Sequence, residues 1–316
     1  MNKLVKVLAA SALVATALVG CGKKDDGAST GTKIAKAGLG VVTADVVKSE
    51  YTDNYQINTT FAAVGLDSDG KIVDISVDVA QSEPDADSPI TQSKKDRKED
   101  YGMKDASGIK KEWYEQIAAF EEYCKGKTAD EIAKIETEEN SEGNQMPKSG
   151  SDLAAGCTMA INDFQAAVAK AVENAVDVSA DSVGLGYVMK VDKDYSGNGQ
   201  LNTTVAMVAK DSDGKIVADD VDVAQISAAD GADTRTKTEK KEDYAMKDAS
   251  GIKKEWYEQA AAFEENIKGM TADEVAKIET EENSEGNQAP KAGTDLAAGC
   301  TMAINDFQTA VTNAMK

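Results

Sequence analysis

Two seven-residue stretches hold the side chains best suited to chemistry. They are Asp152-Leu153-Ala154-Ala155-Gly156-Cys157-Thr158 and Asp295-Leu296-Ala297-Ala298-Gly299-Cys300-Thr301, each followed by Met-Ala-Ile-Asn-Asp-Phe-Gln. A hydroxyl on a Gly-containing turn before an amphipathic helix can serve as a cap. It can equally mark where a phosphate rests, because free amides and the helix dipole favour an anion there. Gly156 and Gly299 permit close backbone approach. Cys157 and Cys300 are small and apolar enough to fill a packed turn, and no activating cation accompanies them in the sequence. Histidine is absent. That excludes His-based acid–base catalysis, Ser-His-Asp and Cys-His nucleophiles and covalent c-type haem, and it disfavours zinc.

The formal charge of −21 argues against nucleic-acid partners and favours cationic ones. The chain starts with Lys3 and Lys6, then an apolar run from Val7 to Val19, too short for a comfortable membrane span. Leu18-Val19-Gly20-Cys21 resembles the lipobox of bacterial lipoproteins. The resemblance implies a signal peptide over 1–20, a diacylated Cys21 as the new N-terminus, and anchoring on the extracellular face of the cell membrane. Residues 21–37 are rich in Gly, Ser, Thr, Lys and Asp and are expected to form a flexible tether. Cys124 has no counterpart in the second half, where Ile267 stands, so the remaining three cysteines do not suggest a disulfide framework.

Residues 100–169 align with 243–312 without a gap, and 59 of the 70 positions are identical. A period this long implies duplication of a whole domain rather than a solenoid. The domains are expected at 38–172 and 184–316, joined by a short polar linker, Glu173 to Val183. Each opens with a hairpin. In the first, Thr59 to Leu66 and Ile72 to Val79 flank Asp67-Ser68-Asp69-Gly70, and Val73, Ile75, Val77 and Val79 alternate with Asp74, Ser76 and Asp78. That is the period of a half-buried strand. The spacing then predicts a helix with Ile109, Trp113, Ile117 and Phe120 inside, Ser107 as N-cap, and Glu112, Glu115, Glu121 and Glu122 outside. A short helix follows at Thr128, with Glu131 completing a capping box that Thr271 and Glu274 repeat. The last helix is expected from about Thr158, with Ile161, Phe164, Val168 and Val172 on one stripe, and Ile304, Phe307, Val311 and Met315 on its twin. The fold class expected is α+β: two tandem copies of one domain, each an antiparallel sheet with helices packed on one face.

Asp-x-x-Ala-Gly-Cys-Thr resembles the flavinylation motif of FMN-binding domains, usually Asp-x-x-Ser/Ala-Gly-Ala-Thr/Ser. The family resemblance implies that a flavin transferase moves FMN from FAD onto Thr158 and Thr301, leaving a phosphoester on each. Asp152 and Asp295 would be read by the transferase, and Gly156 and Gly299 would give the tight turn. The departures are Ala155 and Ala298 where Ser is common, and Cys157 and Cys300 where Ala is common. Over most of its length the chain is most similar to tandem-flavin surface lipoproteins of Gram-positive bacteria, some of them termed pheromone lipoproteins. Their role implies extracellular electron transfer from a membrane quinone or NADH dehydrogenase to acceptors such as ferric iron. A lipoprotein without flavin that binds a ligand or partner is the alternative.

Tyr101, Met103 and Lys104 recur as Tyr244, Met246 and Lys247. A flavin needs apolar and aromatic walls and a cation near its N1–C2=O edge. These residues could supply them, or the lysines could simply be solvated. Trp113 and Trp256 are expected in the core. Asp192 to Gly197 resembles half of a calcium loop, but Thr203 stands where the last ligand would be a Glu, so a turn is expected.

Overall fold

The computed structural model describes residues 33–316 apart from 45, 50, 51, 142, 284 and 285. The lipobox with Cys21, and the tether up to residue 32, lie outside the described residues.

Strand β1 (Ile34–Thr43) is followed by β2 (Val47–Lys48), β3 (Tyr55–Leu66) and β4 (Ile72–Ser82), then by a single helical turn α1 (Lys94–Arg97). Helix α2 (Trp113–Cys124) and the short α3 (Ala129–Ala133) lead to a two-stranded ribbon, β5 (Thr137–Glu139) and β6 (Gln145–Pro147), and to α4 (Asn162–Glu173). After β7 (Val176–Ala180) the order repeats: β8 (Ser182–Lys193), β9 (Gly199–Lys210), β10 (Ile216–Ser227), α5 (Lys237–Lys240), α6 (Trp256–Ile267) and α7 (Ala272–Val275). The ribbon β11 (Thr280–Glu282) and β12 (Gln288–Pro290) then leads to α8 (Asp295–Gly299) and α9 (Asn305–Ala314).

The larger sheet runs β4-β3-β1-β7, with β2 beside the start of β3. The second runs β10-β9-β8, and every pairing is antiparallel. The fold is thus mixed α and β with antiparallel sheets, as expected. The helices do lie on one face of each sheet: Val64 and Val77 pack against Ile117, Phe120, Phe164 and Val168, and Val208 and Val221 pack against Phe263, Phe307 and Val311. The other faces are not solvated. Leu39, Phe61 and Ala63 meet Met189, Val205 and Met207 in a third core between the sheets. The run Phe61-Ala62-Ala63-Val64 is buried at every position, the pattern of a strand covered on both faces. Asp74 and Asp85 stitch the halves together, Asp74 Oδ2 accepting from Val183 N at 2.9 Å and Asp85 Oδ1 from Gly199 N at 2.8 Å.

Several boundaries differ from expectation. Strand β1 starts at Ile34, inside the span expected as tether. Its Gly38 and Gly40 lie against α4, where a Cβ on them would stand 2.1 Å from Ala171 O and 2.0 Å from Ala167 O. The expected linker is absorbed too. Glu173 ends α4, β7 pairs with β1, and β8 has begun by Ser182. Helix α2 starts at Trp113 with Glu112, not Ser107, at its N-cap. Ile109 precedes the helix, and Glu112 is buried. The turns hold as read. Asp67 Oδ1 accepts from Asp69 N and Lys71 N, and Asp194 Oδ1 accepts from Ser196 N and Asn198 N. Both capping boxes at Thr128 and Thr271 form. No helix among the described residues is long and apolar enough to cross a membrane.

The halves differ under α6. Asp219 takes the place of Ile75, and Thr238 that of Lys95, whose ammonium in the first half bonds Glu121 at 2.7 Å. Both carboxyl oxygens of Asp219 are buried without a hydrogen-bond partner. Burial, then the nearby Glu264 and Asp220, push Asp219 up to about 8, and burial pushes Glu264 up to about 7. Unfolded, such carboxyls titrate near 4. Between about pH 4 and 8 the folded chain therefore holds protons that the unfolded chain has released, so stability falls as pH rises through that window. Asp219→Ile is expected to raise unfolding free energy by roughly 2 kcal/mol at pH 8, the scale of a buried unpartnered polar group. The gain should shrink toward about pH 5. Denaturant unfolding at both pH values measures it, and an equal gain at both would refute the carboxylate as the cause.

Candidate functional site

One buried side chain organises the site in each half. Gln116 sits on the apolar stripe of α2 and is fully buried. Its Nε2 donates to Ser107 Oγ and to Lys111 O, both at 3.1 Å. Its Oε1 accepts from Thr158 N at 2.9 Å and from Thr158 Oγ1 at 3.1 Å. Gln259 repeats the set with Ser250 Oγ, Lys254 O, Thr301 N (2.9 Å) and Thr301 Oγ1 (3.2 Å). The loop before the helix is tied down by the N-cap. Glu112 Oε2 accepts from Met103 N at 2.9 Å and Glu255 Oε2 from Met246 N at 2.9 Å. The aromatic loop and the threonine motif are thereby fixed to one helix N-terminus. Neither glutamine was expected from sequence. The available signal was a polar residue within the inward stripe Trp113, Ile117, Phe120, repeated in the second half.

Gln259→Leu would leave Ser250 Oγ and Thr301 N and Oγ1 without this partner. It is expected to lower stability by about 2 kcal/mol. A change no larger than the roughly 0.5 kcal/mol of a surface substitution, in denaturant unfolding, would mean the network contributes little.

The motif itself differs from expectation in one respect. Thr158 is not at the start of the last helix. Leu153–Ala155 form a single 3-10 turn, Thr158 follows it, and α4 begins only at Asn162 with Ile161 at its N-cap. The dipole of α4 therefore does not bear on the Thr158 hydroxyl, since that effect fades beyond the first turn. Gly156 is needed for contact rather than for an unusual φ: its φ is −115°, and a Cβ would lie 2.7 Å from Ala119 Cβ of α2. Gly299 stands likewise 2.8 Å from Ala262 Cβ. Cys157 and Cys300 are fully buried, and burial pushes both thiols up to about 11. They pack as apolar residues and are unsuited to thiolate chemistry. Asp152 and Asp295 are exposed.

In the second half a cavity of about 880 Å³ opens beside the motif. Its wall includes Thr301, Lys237, Tyr244, Met246, Trp256 and Phe307. Three of the residues singled out in sequence, Thr301, Tyr244 and Met246, thus meet on one surface. Asp295, Gly299, Cys300 and Lys247 do not line it. Trp256 is 3% exposed and stacks edge-on against Phe307 at 5.8 Å, as Trp113 does against Phe164 at 6.1 Å, so both tryptophans are core residues. In the first half Tyr101 and Met103 pack on the helix-side core, and Met103 Sδ lies 3.6 Å from Gln116 Nε2.

A second lysine of each half stands closer to the aromatic rings than the one singled out in sequence. Lys104 and Lys247 are exposed. The lysine at the cavity is Lys237, whose Nζ lies 4.8 Å from the Tyr244 ring centre and 5.7 Å from that of Trp256. Lys94 stands in the same place over Tyr101 at 5.4 Å. Burial lowers each to about 8, helped at Lys94 by Arg97 and opposed at Lys237 by Asp222. A half-buried ammonium over aromatic faces, beside an anchored hydroxyl, suits a planar group that carries negative charge.

One curated relative, a chlorophenol reductase of Desulfitobacterium hafniense, is 34% identical over 100 residues, covering 25% of this chain and 31% of that protein. The chain thus matches about a third of that relative's length. No family model matches, and no solved structure matches.

Proposed function

We propose that this chain is a membrane-anchored extracellular electron carrier with two covalent FMN groups, held as phosphoesters by Thr158 and Thr301 in two tandem copies of an FMN-binding domain. The observation that carries this reading is the placement of Thr301 on a cavity wall with Lys237, Tyr244 and Trp256; Thr158, Lys94, Tyr101 and Trp113 are the equivalent residues of the first half. The volume of about 880 Å³ lies within the range of cofactor pockets. The residues present fit the group: a hydroxyl to esterify, aromatic walls, and a cation for a charged ring edge. The exposure of Asp152 and Asp295 supports their being read by a flavin transferase.

In the transfer, the threonine oxygen would bond the flavin-side phosphorus of FAD, the anhydride bond would break with its electron pair leaving on AMP, and the hydroxyl proton would pass to solvent. Thr158 Oγ1 then has no hydrogen for Gln116 Oε1, which keeps Thr158 N as its donor. Bound there, FMN supplies the one- and two-electron chemistry, which is the cofactor's own. The chain contributes position and potential. Lys237 and Lys94 would favour added negative charge on the ring, and the tryptophans wall off the core side. A lipid anchor at Cys21 would hold the carrier beside a membrane quinone or NADH dehydrogenase. The acidic surface would draw cationic acceptors, ferric iron among them. The partial relative is named as a reductase, which agrees with redox chemistry.

The test is visible absorption and intact mass of the chain produced with a flavin transferase and FAD. A yellow product carrying two FMN groups is expected. A colourless chain of unmodified mass would sink the proposal and leave the ligand-binding lipoprotein reading.

A further inference from the structure

Turns α1 and α5 carry the site lysines, Lys94 and Lys237, at their first positions, and each turn is held from the opposite half. In the second half the cap is self-contained. Thr236 Oγ1 accepts from Glu239 N at 3.3 Å, and Glu239 Oε2 accepts from Thr236 N at 2.9 Å. The other oxygen of Glu239 takes an ammonium hydrogen of Lys170, at 2.7 Å, from α4 of the first half. In the first half the equivalent of Glu239 is Asp96, one methylene shorter. Ser93 Oγ accepts from Asp96 N at 3.1 Å, but Ser93 N donates instead to Tyr187 Oη of β8 at 3.0 Å. Tyr187 Oη in turn donates to Asp96 Oδ2. The hydroxyl of Tyr187 thus completes the capping box that Asp96 is too short to close. Its ring is seated on Phe61 at 5.7 Å between the sheets. Val41 of β1, paired with Phe61, holds the place that Tyr187 of β8, paired with Val205, holds in the second half, and Lys170 Nζ also donates to Val41 O. The two contacts are therefore the two directions of one crossed arrangement.

We propose that Tyr187 and Lys170 are positioning residues for the site of the opposite half: Tyr187 sets Lys94 over Tyr101, and Lys170 sets Lys237 over Tyr244 on the cavity wall that carries Thr301. Each site is then built from both halves, and a disturbance in one half is felt at the cofactor of the other. The part concerning the cofactor rests on the flavin reading above; the placement of the lysines does not. Around Lys94 the charged groups are Arg97, Asp163 and Asp78, and around Lys237 Asp222 and Lys240. None of these is altered by the substitutions below.

The experiment follows the two lysine titrations by NMR of the side-chain carbons in the full flavin-free chain. Tyr187→Phe keeps the ring on Phe61 and removes only the hydroxyl. It is expected to move Lys94 upward by on the order of half a pH unit or more, as the freed turn gains water, and to leave Lys237 in place. Lys170→Met is expected to do the reverse. Adding Asp96→Glu to Tyr187→Phe should restore Lys94, because Glu can close the capping box alone as Glu239 does. In the flavin-loaded chain, Tyr187→Phe should shift the potential of the flavin on Thr158 and not that on Thr301. Lysine titrations unmoved in both variants, or both moved by either one, would overturn the proposal. Absence of flavin with the crossed lysine response intact would overturn only the cofactor reading.

Discussion

Thr301→Ala is expected to yield a chain with one covalent flavin in place of two, Thr158→Ala the complementary product, and the double variant none. Ala offers no oxygen to esterify, so the loss at each site should be complete rather than graded. Folding is not the limiting factor. Thr301 N still donates to Gln259 Oε1, and only the hydroxyl's bond to that oxygen disappears, a cost of about 1 kcal/mol. Thr301→Ser keeps the oxygen and should keep the flavin. Cys300→Ala should also leave flavin content unchanged, because that thiol is fully buried and pushed up to about 11. Intact mass after denaturation reads all five results. Two flavins retained on Thr301→Ala would move the attachment elsewhere and remove the proposal's basis.

Gly40→Ala and Gly186→Ala are expected to cost at least about 3 kcal/mol each, the upper part of the range for overpacking. A methyl at Gly186 would stand 2.1 Å from Ala310 O and 2.4 Å from Ala314 N of α9. These are backbone atoms of a regular helix and cannot turn aside, so the last helix must lift from its sheet. That helix carries Phe307, against which Trp256 and Phe263 stack. The control is Gly70→Ala in the β3–β4 turn. Gly70 has φ +77° with nothing near it, so the cost there should be conformational only, about 1 kcal/mol. Denaturant unfolding compares them. A loss at Gly40 or Gly186 no greater than at Gly70 would mean that the close approach is not needed for stability.

Features closed within a few residues were legible. The Asp-Ser-Asp-Gly turns, the capping boxes at Thr128 and Thr271, and the apolar stripes of α2 and α4 depend on neighbours in the chain, and the residue types declare them. The start of α2 was misplaced because a serine is the stronger local cap signal. Glu112 caps only because it also accepts the amide of Met103, brought round by a loop in which Lys110 adopts φ +54°. The close approach of Gly38 and Gly40 was not legible because glycine has no local meaning beyond freedom, and their purpose is a helix more than a hundred residues later.

The sequence by itself determined the internal repeat, the strand and helix types, the paired threonine motifs and the absence of histidine chemistry. These are matters of composition, period and short-range bonding. Tertiary structure alone decided that the sheets stand back to back, that Lys94 and Lys237 rather than Lys104 and Lys247 face the aromatic walls, that Gln116 and Gln259 hold the threonines, and that Tyr187 and Lys170 reach across. Each of these depends on pairs far apart in the chain. Many partners are available to such residues, and only the packing of complete faces selects one.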